Sequence, residues 1–204
     1  MTQKVETSDV FTNYNLNCES ICAFSTKRGL QSNDADPYSA FNINPFCGDD
    51  PEHINNCMDL FCNYLNISSD NVYLPHQIHG DEILKIDATF SEISADEKVE
   101  RLNGVDALIS NIKNICICVS TADCVPILIY DKENDVIAAI HAGWRGTVQH
   151  IVQKTIKYLK DNYYTNPQNI KAVICPGISE EAFEVGDEVY ETFYNSGFDM
   201  SKIS

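Results

Sequence analysis

Two apolar runs constrain this chain more than any other feature. Residues 125–131 (VPILIYD) and 136–141 (VIAAIH) are almost without polar side chains, and only four polar residues, 132–135, separate them. Continuous apolar runs of this length, bounded by turn residues, read as strands covered on both faces. A polar link this short joins them as an antiparallel hairpin. Pairing then fixes a further point. The residues at the open end of the hairpin, Cys124 and His141, are brought side by side.

Further strands are expected at 21–26, 72–75, 82–86, 105–110, 115–120 and 170–175. A helix opens at Pro51, behind the acidic pair Asp49 and Asp50, with Ile54, Cys57, Met58, Phe61, Tyr64 and Leu65 at helical spacing. Two more helices are expected at 147–162 and 186–195. The turn-rich stretch 31–50 reads as a long surface loop. Strands outnumber helices and do not alternate regularly with them. The expected class is therefore α+β: two packed mixed sheets flanked by helices, an αββα-like sandwich forming one domain over 1–204.

Charge narrows the partners. Thirty Asp and Glu against 14 Lys and Arg leave a net charge of −16, which repels nucleic-acid backbones and anionic membranes alike. No apolar stretch approaches the roughly 20 residues of a membrane span. The N-terminus lacks the apolar core of a signal peptide, and the nine cysteines contain no CxxC, so free thiols in a cytoplasmic monomer or weak dimer are expected. Cys116 and Cys118 fall on one face of a strand.

Polar, metal-competent residues interrupt the apolar pattern in three places: 75–80 (PHQIHG), 120–126 (STADCVP) and 138–146 (AAIHAGWRG). Cys124 beside His141 supports two chemistries. One thiolate and two imidazoles give Zn²⁺ three ligands and leave the fourth position open, the pattern of catalytic zinc. Alternatively, His141 activates Cys124 as the nucleophile of a cysteine hydrolase or amidase. The third member discriminates: His79 as a ligand favours metal, and a carboxylate or amide orienting His141 favours the hydrolase. Arg145, in a turn that opens a helix, and Arg28, at a strand end, are candidate anion contacts. His76 reads as a packing residue or a proton shuttle.

The segments STKRG, PYSAFNIN through CGDDPEHINNC, QIHG, DALIS, TADCVPILIYD, HAGWRGT and PGISEEAFEVGDEV follow one another in an order that resembles the YfiH-type laccase-domain family. That family is regarded as one of purine nucleoside phosphorylases. The resemblance implies one zinc held by His79, Cys124 and His141, which are also the catalytic set. It implies phosphorolysis of adenosine, inosine and methylthioadenosine to the base and ribose 1-phosphate, together with adenosine deamination. It also implies phosphate or ribose contacts from Arg28 and Arg145, with Asn44 and Asp123 completing the pocket. The family's older label, a copper-dependent polyphenol oxidase, fits a blue-copper-like His₂Cys set, and Cu²⁺ outcompetes Zn²⁺ at nitrogen sites. A multicopper oxidase, however, needs many more histidines than the five present. The family pattern continues for several tens of residues past PGISEEAFEVGDEV, so this chain is expected to lack the family's C-terminal segment.

Overall fold

The protein is described here by a computed structural model covering residues 10–29 and 38–202. The first part of the expected loop, 31–37, lies outside the described residues.

The expected hairpin is the centre of the molecule. Strands β7 (Val125–Asp131) and β8 (Val136–Ala142) pair antiparallel, with Pro126 opposite His141 and Asp131 opposite Val136. Around them β4 (Ile83–Ile86), β5 (Ala107–Ser110) and β9 (Ile170–Ile174) complete a five-stranded mixed sheet in the order β4-β5-β8-β7-β9. Only the β4–β5 pair is parallel.

In place of a second continuous mixed sheet there are two separate short ladders. Strands β1 (Phe11–Tyr14) and β2 (Ala23–Thr26) are antiparallel, and β3 (Val72–Tyr73) and β6 (Cys116–Ile117) are parallel. Strand β1 was not expected from the pattern.

The α+β class with mixed sheets holds, and alternation along the strands shows how the layers stack. On one face of the large sheet, Ile109, Ile129, Ala138 and Ile140 pack with Ile151 and Leu159 of helix α5 (Ile151–Tyr163). On the other, Ile86 and Leu108 meet Tyr73 and Ile117 of the small ladder. The far side of that ladder, with Cys116 and Cys118, packs with Met58, Phe61 and Leu65 of helix α1 (Pro51–Leu65). The two thiols share a face, their sulfurs 3.4 Å apart. Each fully buried Ile or Leu in these layers contributes roughly 1.5–3 kcal/mol relative to exposure.

Helix α1 begins as expected, with the Asp50 carboxylate accepting the Glu52 N–H at 3.1 Å and Pro51 in the first turn. Two short helices, α2 (Ala88–Glu92) and α3 (Ala95–Leu102), fill a stretch for which no element was expected. The expected helix 147–162 is instead broken into α4 (Trp144–Val148) and α5. His150 sits between them in the left-handed region (φ 62°), stacked on Phe198, and so lies outside helical structure. The break turns the chain so that Ile151 enters the core with no exposed surface. The last helix, α6 (Asp187–Asn195), is where expected. Among the described residues, no helix is long and apolar enough to cross a membrane.

Candidate metal centre

His141 is fixed by the hairpin. It lies near the end of β8, 2 % exposed, and its N–H donates to the Asp106 carbonyl at 2.8 Å. Cys124 precedes β7, so strand pairing places it at the same end of the sheet. His79 arrives from a different element, the turn that leads into β4. The ligand atoms of His79, Cys124 and His141 lie within 4.8 Å of one another, and among the described residues this is the one such cluster of metal-competent side chains. The two imidazoles meet edge to face, 4.8 Å between centroids.

One carboxylate organises both histidines. Asp106, immediately before β5, is fully buried. Its Oδ1 accepts from the His141 ring at Nδ1 (2.7 Å) and from the His79 N–H (3.0 Å). Its Oδ2 accepts from the N–H groups of Gly80 (2.8 Å) and Ile78 (3.3 Å). Burial pushes this carboxyl up, but the hydrogen bonds from His141, Gly80 and Ile78 outweigh it and hold it below the usual range. It therefore stays ionised and accepts a hydrogen bond from the Nδ1–H of His141, which leaves Nε2 with its lone pair toward the site. The same acceptor draws three successive N–H groups inward and so holds His79 at φ 64°. For a residue other than glycine that conformation costs on the order of 1–3 kcal/mol.

The remaining geometry makes room for an ion. A Cβ on Gly143 would lie 3.1 Å from both the Cys124 sulfur and the His79 ring. A Cβ on Gly146 would sit 2.7 Å from the Gly80 carbonyl, so only glycine lets α4 approach the His79 turn. Gln77 and Ser120 exchange two hydrogen bonds: the Gln77 amide donates to the Ser120 carbonyl (2.8 Å), and the Ser120 N–H donates to Gln77 Oε1 (2.7 Å). This pair clamps the segment bearing His79 onto the segment bearing Cys124.

The protonation preferences suit a cation. Burial, His141 and Arg145 lower the His79 pKa, although Asp106 opposes them, so its imidazole favours the neutral, ligating form. Burial, Asp123 and Asp106 push the Cys124 thiol up. That works against a free thiolate nucleophile, whereas a bound divalent cation deprotonates a thiol outright. A compact His₂Cys set with an oriented histidine and a gap beside the sulfur fits zinc with an open position.

The site lies on a cleft of about 720 Å³ lined by His79, Cys124 and His141 together with Arg28, Asn44 and Asp123. Arg145 is not in that lining. It is exposed on α4, its guanidinium 4.2 Å from the ring centre of Trp144. Asn44 is occupied at both ends: its amide donates to Ser120 Oγ (3.0 Å) and its carbonyl accepts the Phe46 N–H (2.9 Å). The other three histidines have partners of their own. His53 bonds Asp49 at 2.8 Å, His76 bonds Asn103 at 2.7 Å, and His150 stacks on Phe198. None of the three belongs to a cluster of metal-competent side chains among the described residues.

Asp106 and Gln77 were not singled out from sequence. The signal was there in part, because a carboxylate directly preceding a buried apolar strand demands a partner.

Residues 21–204 match the family described as multi-copper polyphenol oxidoreductase laccase. Among curated relatives, a purine nucleoside phosphorylase of Bacteroides thetaiotaomicron is 42% identical over 167 residues, 82% of this chain and 62% of the relative. The adenosine deaminase RL5 of an unknown prokaryotic organism is 36% identical over 185 residues, 91% of this chain and 70% of that one. The purine nucleoside phosphorylase YfiH of Escherichia coli is 36% identical over 157 residues, 77% of this chain and 59% of its own length. The chain thus spans between 59% and 70% of these relatives. The crystal structure of Bacillus licheniformis hypothetical protein YfiH shares the fold, with a TM-score of 0.79 at 24% identity over 89% of this chain and 68% of that one. A Neisseria meningitidis protein matches with a TM-score of 0.74 at 26% identity, over 92% of this chain and 71% of that one.

Proposed function

We infer the function from one premise: the chain belongs to the multi-copper polyphenol oxidoreductase laccase family, in its YfiH-type branch. The reading is phosphorolysis of purine nucleosides, adenosine, inosine and methylthioadenosine among them, to the free base and ribose 1-phosphate, with deamination of adenosine as a second activity. The observation that carries it is the convergence of His79, Cys124 and His141 on the wall of a nucleoside-sized cleft.

His79, Cys124 and His141 would hold the zinc. When bound there, the ion supplies Lewis-acid polarisation and positive charge at the reacting centre. Asp106 keeps both imidazoles in place and accepts the hydrogen bond from His141 Nδ1–H, which fixes that ring's tautomer. Arg28, on the cleft wall, offers its guanidinium to phosphate against the protein's overall negative field. Arg145, outside the lining, contributes positive potential near His79 rather than a direct contact. Asp123 offers a carboxylate that accepts from a ribose hydroxyl or a base N–H. Asn44 acts by holding the loop, since both ends of its amide are engaged.

The test is turnover of inosine and adenosine with phosphate, with and without a chelator, following hypoxanthine, adenine and ribose 1-phosphate. Turnover that zinc restores after chelation is expected. Chelator-resistant turnover, or none by zinc-loaded protein, overturns the reading.

A second reading has one observation in its favour: Asp106 orients His141 toward Cys124, as in a cysteine hydrolase. The raised Cys124 thiol counts against it. It predicts covalent trapping of Cys124 by an alkylating agent and activity without metal. Metal analysis of the protein as purified decides between zinc and copper.

A further inference from the structure

We propose that the exposed face of Phe46 is the platform on which a purine base stacks, and that this ring selects purine over pyrimidine nucleosides. The proposal rests on the nucleoside reading above and names a residue for its specificity.

Phe46 is one of the large apolar side chains left open to solvent, 45 % exposed. One face of its ring is covered by His76, with the ring centres 4.5 Å apart and the planes inclined by 27°. His76 is itself fixed, its Nδ1 2.7 Å from Asn103 Oδ1. Phe46 and His76 both line the cleft that holds His79, Cys124 and His141. The ring is therefore an exposed aromatic surface backed by His76, on the same cleft as the candidate metal centre.

Its position is set by a chain of hydrogen bonds that leads back to the ligands. The Phe46 N–H donates to Asn44 Oδ1, the Asn44 amide donates to Ser120 Oγ, and Ser120 is held twice by Gln77. Gln77 lies two residues before His79, and Ser120 four before Cys124. The platform and the ligands thus share one framework. Farther along the loop, the Tyr38 hydroxyl donates to the Cys47 carbonyl at 2.6 Å and the Asn42 amide to Asp49 at 2.8 Å.

An exposed aromatic ring backed on one face can take a flat, polarisable partner on the other. A purine offers two fused rings to that face, and a pyrimidine offers one. Base stacking depends on overlapping area, so the preference follows without hydrogen-bond readout of the base edge.

Equilibrium binding of inosine and uridine to zinc-loaded protein, without phosphate so that no phosphorolysis occurs, tests the proposal. Phe46→Ala and Phe46→Leu should each weaken inosine binding about tenfold, and Phe46→Trp should retain it. Zinc content and binding of inorganic phosphate should match the wild type in all three. Uridine should bind weakly to every form. If Phe46→Leu binds inosine as the wild type does, or Phe46→Trp binds as weakly as Phe46→Ala, the ring is not the platform. If the wild type binds inosine and Phe46→Ala equals it, the platform alone fails. If the wild type binds neither inosine nor adenosine, the nucleoside reading fails and takes the platform with it.

Discussion

The two walls of the cleft are built by different means. The wall that carries His141 and Cys124 grows out of the β7–β8 hairpin, where Ile129, Val136, Ala138 and Ile140 are each at most 3 % exposed. Its side chains are placed by strand pairing and close packing, so a shift of one ligand requires the sheet to move. The opposite wall, which carries Asn44 and Phe46, is an exposed loop held by side-chain amides and one tyrosine hydroxyl. Burial fixes the chemistry, and polar tethers fix what the chemistry meets. The second wall can change its residues at little cost to the fold; the first cannot.

That contrast can be broken most sharply at Asp106. Asp106→Ala leaves the His141 ring and three backbone N–H groups without their buried acceptor. Zinc affinity should fall by roughly 10–100-fold. Unfolding free energy should fall by about 3 kcal/mol. A metal titration and denaturant unfolding of the metal-free form measure both, and unchanged zinc affinity would show that the carboxylate does not place the ligands.

The next effect separates backbone packing from ligand spacing. Gly146→Ala pushes a Cβ against the Gly80 carbonyl and should cost about 1–3 kcal/mol. Gly143→Ala presses only on the Cys124 and His79 side chains. It should weaken zinc binding while lowering the melting temperature less than Gly146→Ala does. The reverse order would contradict the packing described for α4.

Asn44→Ala probes the tethered wall. It should cost about 1 kcal/mol and raise the KM for inosine, with zinc content unchanged. A parallel loss of zinc would mean that the Asn44–Ser120 tether also holds the ligands in place.

The smallest effect lies at the far end of the hairpin. Burial raises the Asp131 carboxyl, but hydrogen bonds from the Asn134 amide and the Glu133 and Asn134 N–H groups bring it below the usual range. A lowered folded pKa means that its stabilisation is complete above the unfolded value, about 3.9. It is lost as pH falls through the lower folded value. Asp131→Asn should therefore flatten the dependence of stability on pH below about 4. An unchanged slope would remove Asp131 from the acid transition.

Much of the first wall was legible in the sequence. Both ends of β7 were read correctly, because an unbroken apolar run stops at polar residues on either side. Helix α1 was legible because its cap, its proline and its apolar spacing agree. The break at His150 was not, since Val148, Ile151, Val152 and Ile156 keep helical spacing across it; a single left-handed residue leaves no trace in periodicity. Helices α2 and α3 lack a long apolar stripe, yet Asp87 and Ser94 cap them and accept the N–H groups of Phe90 and Glu97. Those caps were the signal available. In the site, Cys124 and His141 followed from pairing. Asp106 did not, because what makes it central is the number of donors reaching it from distant segments, and no local pattern records that.

The four bonds that end on Asp106 tie two distant stretches of chain to one pair of oxygens. Replacing His79 or His141 removes one imidazole and leaves the other where it was. Replacing Asp106 displaces both at once. A residue that donates no ligand is then the position from which a single change reaches both histidines.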